Sequence, residues 1–193
     1  MRHLISVVLF FTTFIYAYIR YILYGPYKFP YDFFHILNKS LSFTSAILLF
    51  LIVLSSKNLN RKVWGKTLFW FVNFHIILSL ILFFQGYYDK MFSQNALKSI
   101  GSVFGGLLAY FYLIKLFFSI KKGEIQPGGS LYFKKIGLLL MLLLLHVIFW
   151  GLNAWFQPRN WYGQLFPITL ISAIIILTGL IYLFLKRHYF NRQ

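Results

Sequence analysis

Six times between Leu4 and Leu185 the chain runs for about twenty residues with almost no charge, the length a helix needs to cross the hydrocarbon layer of a bilayer. Between charged or turn-rich stretches these runs fall near residues 4–24, 35–56, 63–84, 99–120, 136–156 and 165–185. Hydrophobic residues make up 60% of the chain and charged ones only 11%, where a soluble domain carries roughly a quarter. An ordinary soluble domain is therefore excluded, and mean hydropathy of +0.71 agrees. The expected fold is an all-α membrane protein, a six-transmembrane-helix bundle forming one domain over residues 1–193, with the lipid bilayer as its first partner. The run after Met1-Arg2-His3 has no clean small-x-small cleavage site and reads as an uncleaved span. The loop from Lys121 to Phe133, with its Pro127-Gly128-Gly129 turn, and the one around Pro158 are too short for a flavin or nucleotide domain. No repeat of solenoid length and no low-complexity tail is visible.

The basic residues carry topology information. There are 19 Lys and Arg against 3 Asp and Glu, a net charge of +16. In a soluble protein that balance would suggest nucleic acid, but here the charges sit in short blocks between apolar runs, and no nucleic-acid partner is expected. With the N-terminus inside, one side carries twelve: Arg2, Lys57, Arg61, Lys62, Lys66, Lys121, Lys122, Lys134, Lys135, Lys186, Arg187 and Arg192. The other side has six, Arg20, Lys28, Lys39, Lys90, Lys98 and Arg159, together with Asp32 and Asp89. Cytoplasmic loops retain the excess of Lys and Arg, so both termini are expected in the cytoplasm. Tyr24 to Tyr27, Tyr87-Tyr88 and Trp155 to Tyr162 then fall in the outer loops, where amphipathic rings suit the headgroup region.

Titratable residues inside a membrane are costly and mark function by default. His3 and His188 flank the inner edge and His35 opens the second span, all three readable as interfacial. His75 and His146 differ. They lie 12 residues after Val63 and 10 after Ile136, hence about 18 and 15 Å from the same membrane edge on two spans that run in the same direction. Two imidazoles at one depth can hold one haem iron from both sides, as a six-coordinate b-type haem that passes electrons. At helical spacing His75 is accompanied by Leu68, Phe71, Leu78 and Leu82, and His146 by Leu139, Leu142, Leu143, Phe149 and Trp150, faces suited to a flat apolar macrocycle. The competing reading is that each histidine hydrogen-bonds a neighbouring helix, with Asn73, Ser79 or Asn153 as partners. Zinc fits less well, because the chain has no Cys and no third ligand at that depth. Arg20 and Lys39, one turn inside the outer boundary, are candidates to pair with haem propionates or a quinone headgroup, against plain snorkelling. Lys115 reads as snorkelling, and Gly101 to Gly106 as a close-packing stripe.

The run Arg61-Lys62-Val63-Trp64-Gly65-Lys66 leading to Phe74-His75, the run Phe133-Lys134-Lys135-Ile136-Gly137 leading to His146, and Leu37-Asn38-Lys39 together resemble the ferric-reductase-like transmembrane domain, over about residues 37–175. Within that family the likeness is to short, stand-alone MsrQ-like haem-binding membrane subunits of the bacterial inner membrane. The resemblance implies a b-type cytochrome relaying electrons to an outward-facing acceptor through His75 and His146. Such a chain is an electron-transfer subunit of an oxidoreductase rather than a complete ferric reductase. Two-haem members carry another His 13 or 14 residues before each ligand, where this chain has Arg61 and Phe133. One haem b is therefore implied, at the site nearer the outer face, with electrons arriving from a bound flavin, a quinol or a redox partner protein. The alternative is a non-haem assembly or scaffold subunit that retains the fold. A transporter is a weaker reading, since no broken-helix pair or inverted repeat is seen.

Because the native chain lacks cysteine, a single Cys in place of Gln193 reports on the topology directly. It is expected to stay unlabelled by an impermeant thiol reagent applied outside intact cells and to react after the membrane is opened.

Overall fold

The structure, a computed structural model, describes residues 2–55, 58–84 and 89–190, the side chains of residues 2, 58, 89–98 and 187–190 excepted. Arg2, Lys57, Tyr87, Tyr88, Asp89, Lys90, Lys98, Arg187, His188 and Arg192, used above as topology markers or considered as interfacial, lie outside the described residues or side chains.

Helices form where the apolar runs are: α1 (Arg2–Tyr18), α2 (Phe33–Leu54), α3 (Asn58–Phe84), α4 (Asp89–Lys121), α5 (Ser130–Trp155) and α6 (Ile168–Phe190). A π-helical segment, Ile19–Leu23, continues α1, and two short 3-10 turns lie between α5 and α6. Among the described residues there is no strand, and six helices are long and apolar enough to cross a membrane, which makes this an integral multi-pass membrane protein. α3, α4 and α5 begin five, ten and six residues before the expected boundaries at 63, 99 and 136. The early turns of α3 and α4 are polar, Asn58 to Lys62 and Asp89 to Lys98, so hydropathy alone places the start too late. An even number of crossings brings both termini to one end of the bundle.

α2 is the central helix. Buried residues make up 67% of its span, against 17 to 28% in the other five. It can be central because its polar residues are small and return their hydroxyls to the helix itself: Ser40 donates to the Ile36 carbonyl at 2.8 Å, Thr44 to Ser40 at 2.8 Å and Ser45 to Leu41 at 2.7 Å. α1 lies on this face, where Thr13 Oγ1 and Thr44 Oγ1 share a buried 2.6 Å hydrogen bond. α2 also packs on α3 and α6, and α5 packs on α4 and α6, while α3 and α4 touch only sparsely. Toward the end that carries the termini the space is filled by Leu49, Ile52 and Val53 of α2 with Trp64, Leu116, Tyr132, Ile136 and Leu140.

At the other end the π-helical segment turns Arg20 inward, where it is 4% exposed. Its guanidinium donates to the Leu165 carbonyl and lies 5.5 and 5.3 Å from the Tyr21 and Tyr162 ring centres. Tyr16 donates to the Phe166 carbonyl at 2.7 Å, so α1 is tied twice to the segment entering α6.

The Thr13–Thr44 bond is buried, and such interhelical bonds contribute on average about 0.6 kcal/mol with a maximum near 1.7. Thr13→Val is expected to lower unfolding free energy by about 1 kcal/mol in mixed micelles titrated with denaturing detergent. Thr12→Val, at an exposed hydroxyl bonded only to the Val8 carbonyl of its own helix, should change it little.

Candidate functional site

The gap between the α2–α3 pair and the α4–α5 pair is a cavity of about 310 Å³, roofed on one side by α6. Its volume falls at the small end of the ~300–1,000 Å³ range of ligand pockets. The cavity occupies the half of the bundle away from the termini, with Leu49, Leu68, Leu113, Leu139 and Ile176 as its floor and Asn38, Lys39, Phe83, Ser102 and Trp150 toward its mouth. Leu80 and Phe83 of α3 and Val103 and Leu107 of α4 line the cavity yet keep 38 to 49% of their surface exposed. The cavity therefore opens sideways between α3 and α4, toward lipid.

His75 and His146 both line it. They stand 17 residues after the start of α3 and 16 after the start of α5, so the depth match expected from the apolar runs survives the revised helix starts. Their surroundings match in part. Leu68, Leu139, Leu143 and Trp150 line the cavity, whereas Leu78 and Leu82 are buried elsewhere in the bundle and Phe149 packs near Gly101.

The hydrogen bonds of the two rings define their tautomers. Asn38 Nδ2 donates to Ser79 Oγ at 3.0 Å, which turns the amide oxygen toward His75, and His75 Nδ1 donates to that oxygen at 2.5 Å. His146 Nδ1 lies 2.7 Å from the Ser102 backbone carbonyl, which can only accept, so this nitrogen too carries the proton. Each Nε2 is thereby left with its lone pair, the form in which an imidazole binds a metal, and a carbonyl-type acceptor on Nδ1 is the usual support for such a ligand. The expected helix-bonding partners Asn73 and Ser79 have other roles, and Asn153 is exposed. Asn73 accepts from the Tyr110 hydroxyl at 2.7 Å, bridging α3 to α4, while Ser79 supports Asn38.

Room for the His146 ring comes from the glycine stripe of α4. A Cβ at Gly105 would touch the His146 backbone at 3.5 Å, and one at Gly106 would sit 2.9 Å from His146 Nδ1. The close-packing reading of this stripe is correct, and the stripe is also part of the site. Gly106 and Asn38 are the positions sequence reasoning missed as site residues. For Gly106 the signal was its membership of the stripe; for Asn38 it was an amide one helical turn inside an apolar run.

Lys39 is the one cation lining the cavity among the described residues, with Nζ 5.0 Å from the Trp150 ring centre. Arg20 is not among the lining residues; it is held by Leu165, Tyr21 and Tyr162 as described. His35, expected at the interface, is 4% exposed, stacked on Tyr27 at 4.6 Å and edge-on to Tyr21 at 5.5 Å, outside the cavity lining. The rings of Tyr21 and Tyr27 cover it at the start of α2. Arg61 and Phe133, the pair singled out by the family resemblance, are brought together at the opposite end, the guanidinium carbon 5.2 Å from the ring centre.

Fold and site thus describe a six-helix integral membrane protein with a laterally open, two-histidine cavity. No family model matches the chain, and no curated protein matches it.

The tautomer assignment is testable without any ligand. In protein labelled with nitrogen-15 histidine and studied at neutral pH, His75→Gln and His146→Gln assign the resonances of the two cavity histidines. Both are expected to carry a protonated Nδ1 and a bare Nε2. Asn38→Leu should release His75 alone from that pattern.

Proposed function

We propose that this protein is a membrane b-type cytochrome that binds one haem between His75 and His146 and relays electrons toward an outward-facing acceptor. The observation that carries the reading is that two imidazoles on α3 and α5 line one apolar intramembrane cavity, each with Nδ1 hydrogen-bonded to an acceptor on a neighbouring helix and Nε2 left as a ligand. The residues present fit the group: neutral nitrogen donors for the iron, a missing Cβ at Gly106 that leaves room for the ring, and an apolar lining.

Bound there, the haem would supply a one-electron carrier whose potential depends on its axial ligands, their hydrogen bonds and the dryness of the pocket. The chain's own residues do the rest. Asn38 and the Ser102 carbonyl fix both ring planes and raise the donor strength of Nε2. Lys39, at the cavity mouth, can pair with a propionate or with a quinone headgroup. The side opening between α3 and α4 gives an apolar molecule access from the bilayer. With the end that carries the termini in the cytoplasm of a bacterial inner membrane, the haem would lie nearer the outer face. Electrons would then arrive from a flavin, a quinol or a redox partner protein, and the chain would act as the electron-transfer subunit of a ferric-reductase-like oxidoreductase.

One observation favours a second reading, a non-haem scaffold subunit: each imidazole does bond a neighbouring helix, as a purely structural histidine would. The two readings differ in colour. Protein produced with ample haem is expected to show a six-coordinate b-type absorption spectrum and, by pyridine haemochrome assay, about one haem per chain. His75→Ala and His146→Ala should each bring that ratio to near zero, and His35→Ala should leave it unchanged. A colourless, folded wild-type protein would favour the scaffold.

A further inference from the structure

Among the described residues, five helices line the cavity, and four of the five seams between neighbours are packed: α2 on α3, α4 on α5, α5 on α6 and α6 on α2. The fifth, between α3 and α4, is closed over only part of its length. Toward the end that carries the termini, Phe69 and Phe117 stack across it with ring centres 4.1 Å apart and planes 13° from parallel. One turn further out, the Asn73 amide donates to the Phe69 carbonyl of its own helix at 2.7 Å, which presents its oxygen to the Tyr110 hydroxyl, also at 2.7 Å. Beyond that bond the seam opens. Leu80 on α3 and Val103 and Leu107 on α4 line the cavity yet are 49, 41 and 38% exposed, so the walls of the gap are apolar from the cavity out to the lipid.

The other approaches are obstructed. Below the cavity the bundle is filled by the core of Leu49, Ile52, Leu116, Ile136 and Leu140. Across the outer mouth Lys39 of α2 lies against the Trp150 ring of α5 at 5.0 Å, so a molecule entering there from water has to part a cation from its ring. An apolar molecule already dissolved in the bilayer meets neither obstacle between α3 and α4. It exchanges hydrocarbon for apolar side chains, with no polar group to strip of its partners.

We infer that this gap is the loading route of the cavity: haem passes sideways from the bilayer between Leu80 on one edge and Val103 and Leu107 on the other, and the Asn73–Tyr110 bond, backed by the Phe69–Phe117 stack, is the latch that limits how far the gap widens. The inference rests on the haem reading and adds a statement about rates that the reading does not require. A group that only obstructs a passage raises the barrier to entry and exit equally, so both rates change by one factor and the affinity stays as it was.

Two measurements on the full chain in phosphatidylcholine vesicles test the route: haem uptake by protein produced without added haem, followed by absorbance, and haem loss to excess apomyoglobin. Tyr110→Phe, which keeps the ring and removes the latch bond, should speed both about three-fold, the factor an intramembrane hydrogen bond of average strength gives. Leu80→Ala with Leu107→Ala, which widens the gap, should speed both by roughly ten-fold, and Val103→Trp should slow both to a similar extent. Ile77→Ala removes apolar bulk from the lipid-facing side of α3, outside the cavity lining, and should leave both rates at the wild-type values. Gap variants that alter the affinity or the absorption spectrum but not the paired rates would make these residues structural only and overturn the route. Faster uptake and loss in Trp150→Leu, with the gap variants unchanged, would place entry at the outer mouth and overturn it too. A wild type that takes up no haem would remove the haem reading and the route together, whereas one haem per chain bound at rates that no gap variant alters would remove the route alone.

Discussion

Hydrocarbon offers no hydrogen bonds, so every polar side chain carried into the bundle must be satisfied by the protein itself. α2 meets that requirement for its own hydroxyls. Its serines and Thr44 bond back to their own helix, which leaves a narrow polar helix able to sit at the centre of an apolar assembly. Asn38 is the exception: its amide reaches α3 and orients His75 through Ser79. The same helix thus anchors α1 through Thr44 and prepares one histidine of the cavity.

The two halves of the bundle follow from the sizes of the side chains that meet there. Where α2 presents Leu49, Ile52 and Val53 to α4 and α5, the interior is filled. Where it presents Asn38, Ser42, Ser45 and Ala46, nothing large enough reaches across, and the cavity remains. The glycine stripe of α4 works in the opposite sense: by removing side chains it brings α5 close and seats the His146 ring against the Ser102 carbonyl. Close approach on one side and small residues on the other yield two imidazoles beside one empty volume.

Among the described residues, five cations lie against aromatic rings. Three carboxylates cannot serve 19 cations. Arg20 lies against Tyr21 and Tyr162, Lys39 against Trp150, Lys135 against Tyr112, and Arg61 and Lys186 against Phe133. With 22% of its residues aromatic, the chain has rings to hold these cations, and cation–π contact strengthens when water is excluded.

The six spans, and the shared depth of His75 and His146, were legible from the residues alone. Length, hydropathy and the rise of a helix are local properties, and they carried over although α3, α4 and α5 start earlier than hydropathy suggests. The faces of the helices were not legible. Low amphipathicity is the reason: a helix surrounded by lipid on one side and apolar protein on the other has leucine and phenylalanine on both, so Leu78 and Leu82 looked as suited to the cavity as Leu68 did. The partners of polar groups were equally hidden, because Asn38 with His75, Ser102 with His146, Arg20 with Leu165, and Arg61 and Lys186 with Phe133 are separated by 37 to 145 residues along the chain. Sequence by itself determined that this protein lies in a bilayer as six helices with two histidines at one level. Only the tertiary structure decided that those histidines share a cavity and which nitrogen of each is left for a ligand, because that depends on which helices stand side by side.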